Sequence, residues 1–104
     1  MTEEPIEIRR KRLYMRSIRR GIKEMDVILT SFAGARLDLM DTAALDAYEA
    51  LIAEPDLDLY PWISGQTPAP ARHLAMINEI RSQFNEVMGE AHNFIKLRSN
   101  FINH

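Results

Sequence analysis

Residues 41–55 read DTAALDAYEALIAEP, and this stretch specifies its own secondary structure more completely than any other. Its apolar residues recur three and four positions apart, which places them on one face of an α-helix. These residues are Ala44, Leu45, Tyr48, Leu51 and Ile52. Asp41 or Thr42 can cap the start, because a side-chain oxygen there accepts a backbone N–H that has no partner within the helix. Pro55 ends the helix, since the residue before a proline is disfavoured in helical geometry.

Two helices are predicted on the N-terminal side of this stretch, over about residues 7–18 and 21–35. Gly21 marks a bend between them, because glycine lowers the cost of leaving helical geometry. The apolar positions of the second helix again follow spacings of three and four. They are Ile22, Met25, Ile28, Leu29 and Phe32.

Two more helices are predicted on the C-terminal side. Asp58 is the expected N-cap of the first, which puts Pro61 in the first turn, where no intrahelical N–H bond is lost. Gly65 is expected to end that helix. Thr67 is expected to cap the last helix, with Pro68 at its first position. The apolar positions of the last helix are Leu74, Ile77, Ile80, Phe84, Val87, Ala91 and Phe94.

Together these elements predict an all-α fold, a compact five-helix bundle with an extended C-terminal helix or tail. The length of 104 residues suits one domain with one core. Residues 1–8 are expected to form an N-terminal tail, residues 9–90 the helical domain, and residues 91–104 a C-terminal tail or helix extension. Tyr60 can lie at the surface. The residues expected to form the core are Met25, Leu29, Leu45, Tyr48, Leu51 and Trp62.

The apolar repeat of the last predicted helix continues from Ile77 to Phe101. A seam of this length is what one helix buries against another, and the bundle needs only its first half. The C-terminal helix is therefore expected to pack against a second copy of the chain, as a homodimer, or to fold back on its own bundle. Gly89 argues against a continuous helix, because glycine in a helix interior costs about 1 kcal/mol relative to alanine.

Charge is distributed unevenly along the chain, although the formal net charge is only −2. Eight basic and no acidic residues lie within 9–23, and seven acidic and no basic residues lie within 37–60. Three interpretations are open: oriented binding to a partner, attraction between the two segments, or two solvated helix faces of opposite sign.

A nucleic-acid-binding module is the alternative function that the basic helix suggests, because phosphate binding needs clustered Lys and Arg. The cluster consists of Arg9, Arg10, Lys11, Arg12, Arg16, Arg19, Arg20 and Lys23. The net acidic charge and the lack of a recognised DNA-binding motif argue against this alternative, so no nucleic-acid partner is expected.

No reactive constellation typical of an enzyme is legible in the sequence. His73, His92 and His104 have no metal-binding spacing; the first two are expected at helix surfaces and the last at the terminus. No glycine-rich loop follows a strand, so no phosphate cradle is predicted. The lack of cysteine excludes thiol catalysis and disulfides. The chain is therefore expected to have no catalytic residue, no metal site and no cofactor of its own.

Three features bear on location. The sequence has no apolar run of about 18 residues, which a membrane-spanning helix needs. Its N-terminus lacks the apolar stretch of a signal peptide, and the absence of cysteine fits a reducing compartment. These features lead to the expectation of a bacterial cytoplasmic protein without a membrane-inserted segment.

A short motif, Arg20-Gly21-Ile22-Lys23-Glu24, lies at the predicted junction of the first two helices. Its simplest interpretation is structural. Arg20 and Glu24 are four positions apart and can pair on one helix face, which contributes about 0.2–0.5 kcal/mol. In that interpretation Gly21 merely allows the bend.

The surroundings of the motif are distinctive. Arg16-Ser17 precede it, Asp26 follows it, and residues 55–65, PDLDLYPWISG, come about 34 positions later. This combination resembles the small succinate dehydrogenase assembly factors, the flavinylation factors of bacteria and mitochondria. The resemblance covers about residues 9–82. The chain departs from the family pattern at Pro61, where a polar residue is usual, and in its apolar tail.

The resemblance implies a five-helix assembly chaperone without catalytic activity. It implies binding to the flavoprotein subunit of succinate dehydrogenase, or of the related fumarate reductase. There the partner's FAD becomes joined through its isoalloxazine methyl carbon to a partner histidine. The family motif carries over to Arg20, Gly21 and Glu24 as the partner-contacting patch, which is expected to be exposed. The flanking members are Asp26, Arg16 and Ser17.

Overall fold

The computed structural model describes residues 4–85, which form five α-helices and one 3₁₀ turn. The elements are α1 (Ile6–Ser17), α2 (Lys23–Arg36), the 3₁₀ turn (Leu37–Leu39), α3 (Thr42–Ile52), α4 (Asp56–Ser64) and α5 (71–85). Helix α1 packs against α2 and α3, and α2 packs against α4. The described residues contain no strand. The predicted all-α, five-helix fold is therefore confirmed.

Several predictions fall at the ends of the chain. Helix α1 begins at Ile6, inside the predicted tail of residues 1–8. The predicted boundary at residues 90/91, the C-terminal extension and the homodimer seam beyond residue 85 lie outside the described residues, as do His92 and His104. Within residues 4–85, no helix has both the length and the hydropathy to cross a membrane.

Helix α3 forms as its local sequence predicts. The Asp41 carboxylate accepts a hydrogen bond from the Ala44 N–H at 2.9 Å, so Asp41 is the N-cap and Thr42 the first helical residue. The helix ends at Ile52, ahead of Pro55. Local chemistry at each end is enough to define this element.

Helix α4 begins earlier than predicted. The carbonyl of Pro55 accepts the N–H groups of Asp58 and Leu59 at 2.9 and 3.0 Å, so Asp56 is the first helical residue and Asp58 is not the N-cap. Pro61 therefore lies inside the helix, beyond the first turn. The helix ends as predicted at Gly65, whose φ of 86° is left-handed and suits glycine.

Helix α5 begins later than predicted, at residue 71, so Thr67 does not cap it. The Thr67 N–H donates instead to the Pro61 carbonyl at 3.2 Å, and the first turn of α5 starts from the Pro70 carbonyl. Pro68 and Pro70 each disfavour helical geometry in the residue before them, and this keeps the segment out of the helix up to residue 70.

Tyr48 lies at the centre of the core. Its side chain is fully buried, with its ring centroid 5.6 Å from that of Phe32 and its hydroxyl 2.6 Å from the Ser17 hydroxyl. Burial raises the pKa of Tyr48 to about 12, so the phenol stays neutral and can take part in this hydrogen bond. The other fully buried apolar side chains include Leu13, Met25, Leu29, Phe32, Leu45, Leu51, Ile77 and Ile80.

The core prediction is confirmed for Met25, Leu29, Leu45, Tyr48 and Leu51, but Trp62 is only half-buried. Trp62 packs at the edge of the core, where its ring lies 5.8 Å from the ring of His73. Tyr60 is also half-buried. An edge position of this kind cannot be told from a core position by helical spacing alone.

The prediction that His73 is a surface residue is wrong. His73 is 4% exposed, and its Nε2 lies 2.9 Å from a carboxylate oxygen of Glu54. Hydrogen bonds from His73 and Arg72 lower the pKa of the Glu54 carboxyl. This contact turns His73 inward, and Leu74, predicted on the apolar face, is 47% exposed.

Replacing Trp62 with alanine should lower the free energy of unfolding by about 2 kcal/mol. Removal of a fully buried large aromatic costs about 3–5 kcal/mol, and Trp62 retains part of its surface in water. Urea unfolding followed by circular dichroism measures the change. Trp62→Phe, which keeps an aromatic ring against His73, should cost about half as much; equal losses in the two variants would contradict the stacking argument.

The oppositely charged segments attract each other within the fold. On α1, Arg9 lies 2.7 Å from Asp46 and 2.9 Å from Glu49, while Arg12 lies 3.0 Å from Glu49. Hydrogen bonds from Arg12 and Arg9 lower the pKa of the Glu49 carboxyl. Of the three interpretations of the charge pattern, attraction between the segments is therefore confirmed, and it holds α1 against α3.

Candidate functional site

The turn of residues 18–22 connects α1 to α2 and contains the first half of the motif. Arg19 has a φ of 59°, the left-handed geometry that costs a non-glycine residue about 1–2 kcal/mol. Its N–H donates to the Asp26 carboxylate at 2.8 Å. Arg19 rather than Gly21 therefore makes the left-handed bend, because φ is not positive at Gly21.

The prediction that Arg20 is exposed at the surface is wrong. Its side chain is 13% exposed and contacts Asp56, with Nε at 2.8 Å and Nη2 at 2.7 Å from the same carboxylate oxygen. The remaining guanidinium contacts are with backbone carbonyls of Arg16, Ile52 and Glu54, at 3.2, 3.1 and 3.4 Å. Arg20 therefore joins the ends of α1 and α3 to the start of α4, and its ionic partner is Asp56 instead of Glu24.

The second oxygen of the Asp56 carboxylate holds the turn itself. It accepts the Gly21 N–H at 3.0 Å and the Ile22 N–H at 3.4 Å. We call Arg20, Gly21, Ile22 and Asp56 the Asp56 clamp. Sequence reasoning did not identify Asp56, since its partners lie 34–36 positions away.

Asp26 and Ser17, two of the residues predicted to contact a partner beside the motif, make hydrogen bonds within the fold. Asp26 is half-buried and accepts the Arg19 N–H and, at 3.4 Å, the Thr30 hydroxyl. Ser17 is fully buried and donates to the Leu13 carbonyl at 2.7 Å in addition to its contact with Tyr48. The prediction of Ser17 as a partner contact is wrong, because Ser17 has no surface to offer.

Arg16 remains a surface candidate. Its side chain is 44% exposed. The nearest oxygen of its ionic partner, Glu49, is 3.9 Å away. A contact this long at the surface contributes little to stability. The Arg16 side chain is therefore available to a partner on the side of the turn formed by α1.

Gly21 and Glu24 are exposed beside two further exposed residues, Lys23 and Val27. We call these four residues the motif face. Val27, which is 59% exposed, was not predicted from the sequence to contact a partner. It lies three positions after Glu24 and so on the same side of α2. Within residues 4–85, the Glu24 carboxylate makes no ion pair or hydrogen bond.

The fold does not require glycine at position 21. A Cβ added there would lie 3.8 Å from its nearest neighbour, an oxygen of Asp56, which is an ordinary van der Waals distance. Neither a positive φ nor a steric clash inside the chain therefore calls for a residue without a side chain. The close approach of another molecule is a remaining reason for glycine at position 21, and the internal geometry does not exclude it.

A groove of about 440 Å³ adjoins the motif face. Its lining is Lys23, Glu24, Val27, Ile28, Tyr60 and Phe84. Four of these six residues are aliphatic or aromatic, one is basic and one is acidic. This combination is typical of a surface that binds protein, where an apolar centre is bordered by charge.

The described residues offer no metal-binding cluster of three or more His, Asp or Glu side chains. Four of the eight basic residues within 9–23 are also held by side-chain contacts within the fold. Besides Arg9, Arg12 and Arg20, Arg10 donates to the carbonyls of Leu37 and Met40 at 2.9 and 2.7 Å. Guanidinium groups held in this way are poorly placed to bind phosphate, which disfavours the nucleic-acid alternative.

Comparison with known proteins gives a consistent result. Residues 11–84 match the model of a family described as flavinator of succinate dehydrogenase. "Succinate dehydrogenase assembly factor 2, mitochondrial" of Meyerozyma guilliermondii is 40% identical over 74 residues, which are 68% of this chain and 55% of that protein. Its namesake in Scheffersomyces stipitis is 43% identical over 70 residues, 64% of this chain and 47% of that protein. In Saccharomyces cerevisiae the corresponding identity is 41% over 61 residues, 59% of this chain and 38% of that protein.

The chain thus spans about half the length, or less, of these curated relatives. The relatives are mitochondrial proteins of yeasts by name, which contradicts the predicted bacterial cytoplasmic location. The prediction rested on the lack of a membrane-spanning apolar run, of a signal-peptide stretch and of cysteine, and none of these features distinguishes the bacterial cytoplasm from a mitochondrial compartment.

Proposed function

Because the chain belongs to the family of flavinators of succinate dehydrogenase, we propose that it is an assembly factor for that enzyme. In this proposal it binds the flavoprotein subunit and promotes the covalent attachment of FAD to a histidine of that subunit. The curated relatives named as succinate dehydrogenase assembly factors support the role. The chain acts on FAD held by the partner and supplies no cofactor.

The motif face is the observation that carries the proposal. Gly21 and Glu24 are exposed, the fold makes no demand for glycine at position 21, and the Glu24 carboxylate is free of partners within residues 4–85. Gly21, which has no side chain, and the unpaired Glu24 carboxylate near it together suit contact with the main chain of another protein. Gly21 lets that chain approach closely, and Glu24 can accept its N–H groups.

The chemistry in this proposal belongs to the partner. A carbon–nitrogen bond forms between the flavin methyl carbon and the histidine. One hydrogen leaves each, and the flavin ring takes up the two electrons and two protons. Holding the two reacting groups in position can lower the barrier of such a step by several kcal/mol without an added catalytic group. An assembly factor can therefore act by ordering the partner's flavin site.

The groove beside the motif face extends the proposed contact surface. Val27, Tyr60 and Phe84 offer apolar area next to Glu24 and Lys23. An apolar side chain of the flavoprotein subunit that enters this groove would be buried. The neighbouring backbone groups of that subunit would then contact the charged side chains of Lys23 and Glu24. Interfaces gain most of their affinity from such central apolar anchors.

Co-expression with a succinate dehydrogenase flavoprotein subunit tests the proposal. The chain should increase covalent flavin, seen as in-gel fluorescence of the denatured subunit, over that in cells without it. Glu24→Ala should weaken binding about five-fold, corresponding to about 1 kcal/mol for one exposed charged contact. Glu7→Ala is the matched control, because Glu7 is an exposed glutamate on α1, away from the motif face.

Equal covalent flavin with and without the chain would rule the proposal out. An equal effect of Glu24→Ala and Glu7→Ala would move the contact away from the motif face. The same assay, run with a fumarate reductase flavoprotein subunit, tests the prediction that this related enzyme is also served.

A further inference from the structure

Asp56 is the residue on which the geometry of the turn depends. Its two carboxylate oxygens together contact two nitrogens of Arg20 and the N–H groups of Gly21 and Ile22. The Asp56 side chain is 13% exposed and belongs to the first residue of α4, whereas all its clamp partners belong to the turn before α2. A single side chain thus connects two elements that are far apart in the sequence.

The turn has little hydrogen bonding of its own. The Arg19 N–H is taken by Asp26 of α2, and the next contacts along the turn are the N–H groups that Asp56 holds. The left-handed geometry of Arg19 adds conformational cost, so the turn does not adopt this shape on local preference alone. Side chains from α2 and α4 therefore determine the path of residues 19–22.

We infer that Asp56 is a positioning residue for partner binding, and that the motif arginine, Arg20, acts through Asp56 instead of contacting the partner. The clamp holds Gly21 and the start of α2 at a fixed orientation, and thereby presents Glu24 and Val27. This inference rests on the proposed function and adds to it a residue outside the motif. It predicts that loss of the Asp56 carboxylate impairs binding although Asp56 does not contact the partner.

A general loss of stability is the competing explanation. The two explanations differ because Gly21 is exposed, so water can satisfy its N–H when the carboxylate is lost. The hydrophobic core includes Met25 and Leu29 of α2 and Leu59 of α4, and Asp56 is not part of this cluster. Loss of the clamp should therefore release the turn and leave the core folded.

Asp56→Asn in the full chain tests the inference with two readouts. Amide exchange measured by NMR should become about ten-fold faster at Gly21 and Ile22, as expected when a charge-assisted hydrogen bond is lost. Exchange at Leu45 and Tyr48 of the core should stay as in the wild type. Covalent flavin formed on the co-expressed flavoprotein subunit should fall about ten-fold.

Asp46→Asn is the matched control. It makes the same chemical change at a carboxylate of α3 that pairs with Arg9 of α1 at 2.7 Å and has no contact with the turn. Flavin attachment should be unchanged in this variant. Arg20→Lys provides a second test should Asp56→Asn fail to fold, because lysine keeps the charge but cannot reproduce the guanidinium contacts; it should speed exchange at Gly21 and lower flavin attachment.

Faster exchange at Gly21 with unchanged flavin attachment would overturn the inference, as would faster exchange throughout the core together with a lower melting temperature. Absence of any flavin attachment by the wild-type chain would instead refute the proposed function and, with it, the positioning role. Amide exchange at Gly21 does not depend on the partner, so the two failures can be told apart.

Discussion

Replacing Tyr48 with alanine should lower the free energy of unfolding by about 3–5 kcal/mol, the cost of removing a fully buried large aromatic side chain. Tyr48 is 0% exposed, and its ring contacts Phe32 from α2. Alanine leaves a cavity between helices and removes one of the two hydrogen-bond partners of the buried Ser17 hydroxyl. Because small domains are stable by only about 5–15 kcal/mol, this variant should be close to unfolded at 37 °C.

Tyr48→Phe separates the two contributions to this loss. Phenylalanine keeps the ring and its contact with Phe32 and removes only the hydroxyl, while Ser17 retains the Leu13 carbonyl as acceptor. The expected cost is about 1 kcal/mol, that of one hydrogen bond. Thermal and urea unfolding monitored by circular dichroism measure both variants. A loss in Tyr48→Phe as large as in Tyr48→Ala would show that the hydrogen bond, and not packing, dominates at this position.

Gly21→Arg should abolish most of the activity in flavin attachment while leaving the fold intact. The backbone at position 21 needs no positive φ, and a Cβ meets nothing closer than 3.8 Å, so the chain itself can accept a side chain there. A partner backbone packed against Gly21 cannot. The expected loss of affinity is on the order of 100-fold, or about 3 kcal/mol, as for other steric clashes in an interface.

Gly21→Ala is the control for this variant, since it adds only the Cβ. Its circular dichroism and melting temperature should match those of the wild type, and its flavin attachment should lie between the wild type and Gly21→Arg. Titration of the flavoprotein subunit against each purified variant measures affinity directly. If Gly21→Arg unfolds the chain, glycine at position 21 is needed for folding, and the proposed partner contact at Gly21 is wrong.

Helix α3 shows what the sequence can predict. Its apolar spacing and the stop before Pro55 are found as predicted, and Asp41 is the cap of the two predicted alternatives; all three depend on residues within a few positions of one another. The buried residues of α2 follow from spacing in the same way. The motif residues Gly21 and Glu24 were likewise identified from the sequence, and both are exposed.

Contacts between distant segments account for the incorrect predictions. Arg20 has a candidate partner four positions away, Glu24, but its actual partner is Asp56, at a separation of 36. His73 is polar and was expected at the surface, yet it is buried and pairs with Glu54, which lies in the turn between α3 and α4. Ser17 is buried because Tyr48 of α3 meets its hydroxyl. Spacing along one helix carries no information about such pairs.

The Asp56 clamp also has a consequence for the order in which the protein becomes active. A ribosome releases the chain from its N-terminus, so the turn emerges well before Asp56 does, by 36 residues in the case of Arg20. Until α4 has emerged and docked, the turn lacks the carboxylate that fixes Gly21 and Ile22. A nascent chain therefore cannot present the finished surface before that point, and under the proposed function recruitment of the flavoprotein subunit would await the docking of α4.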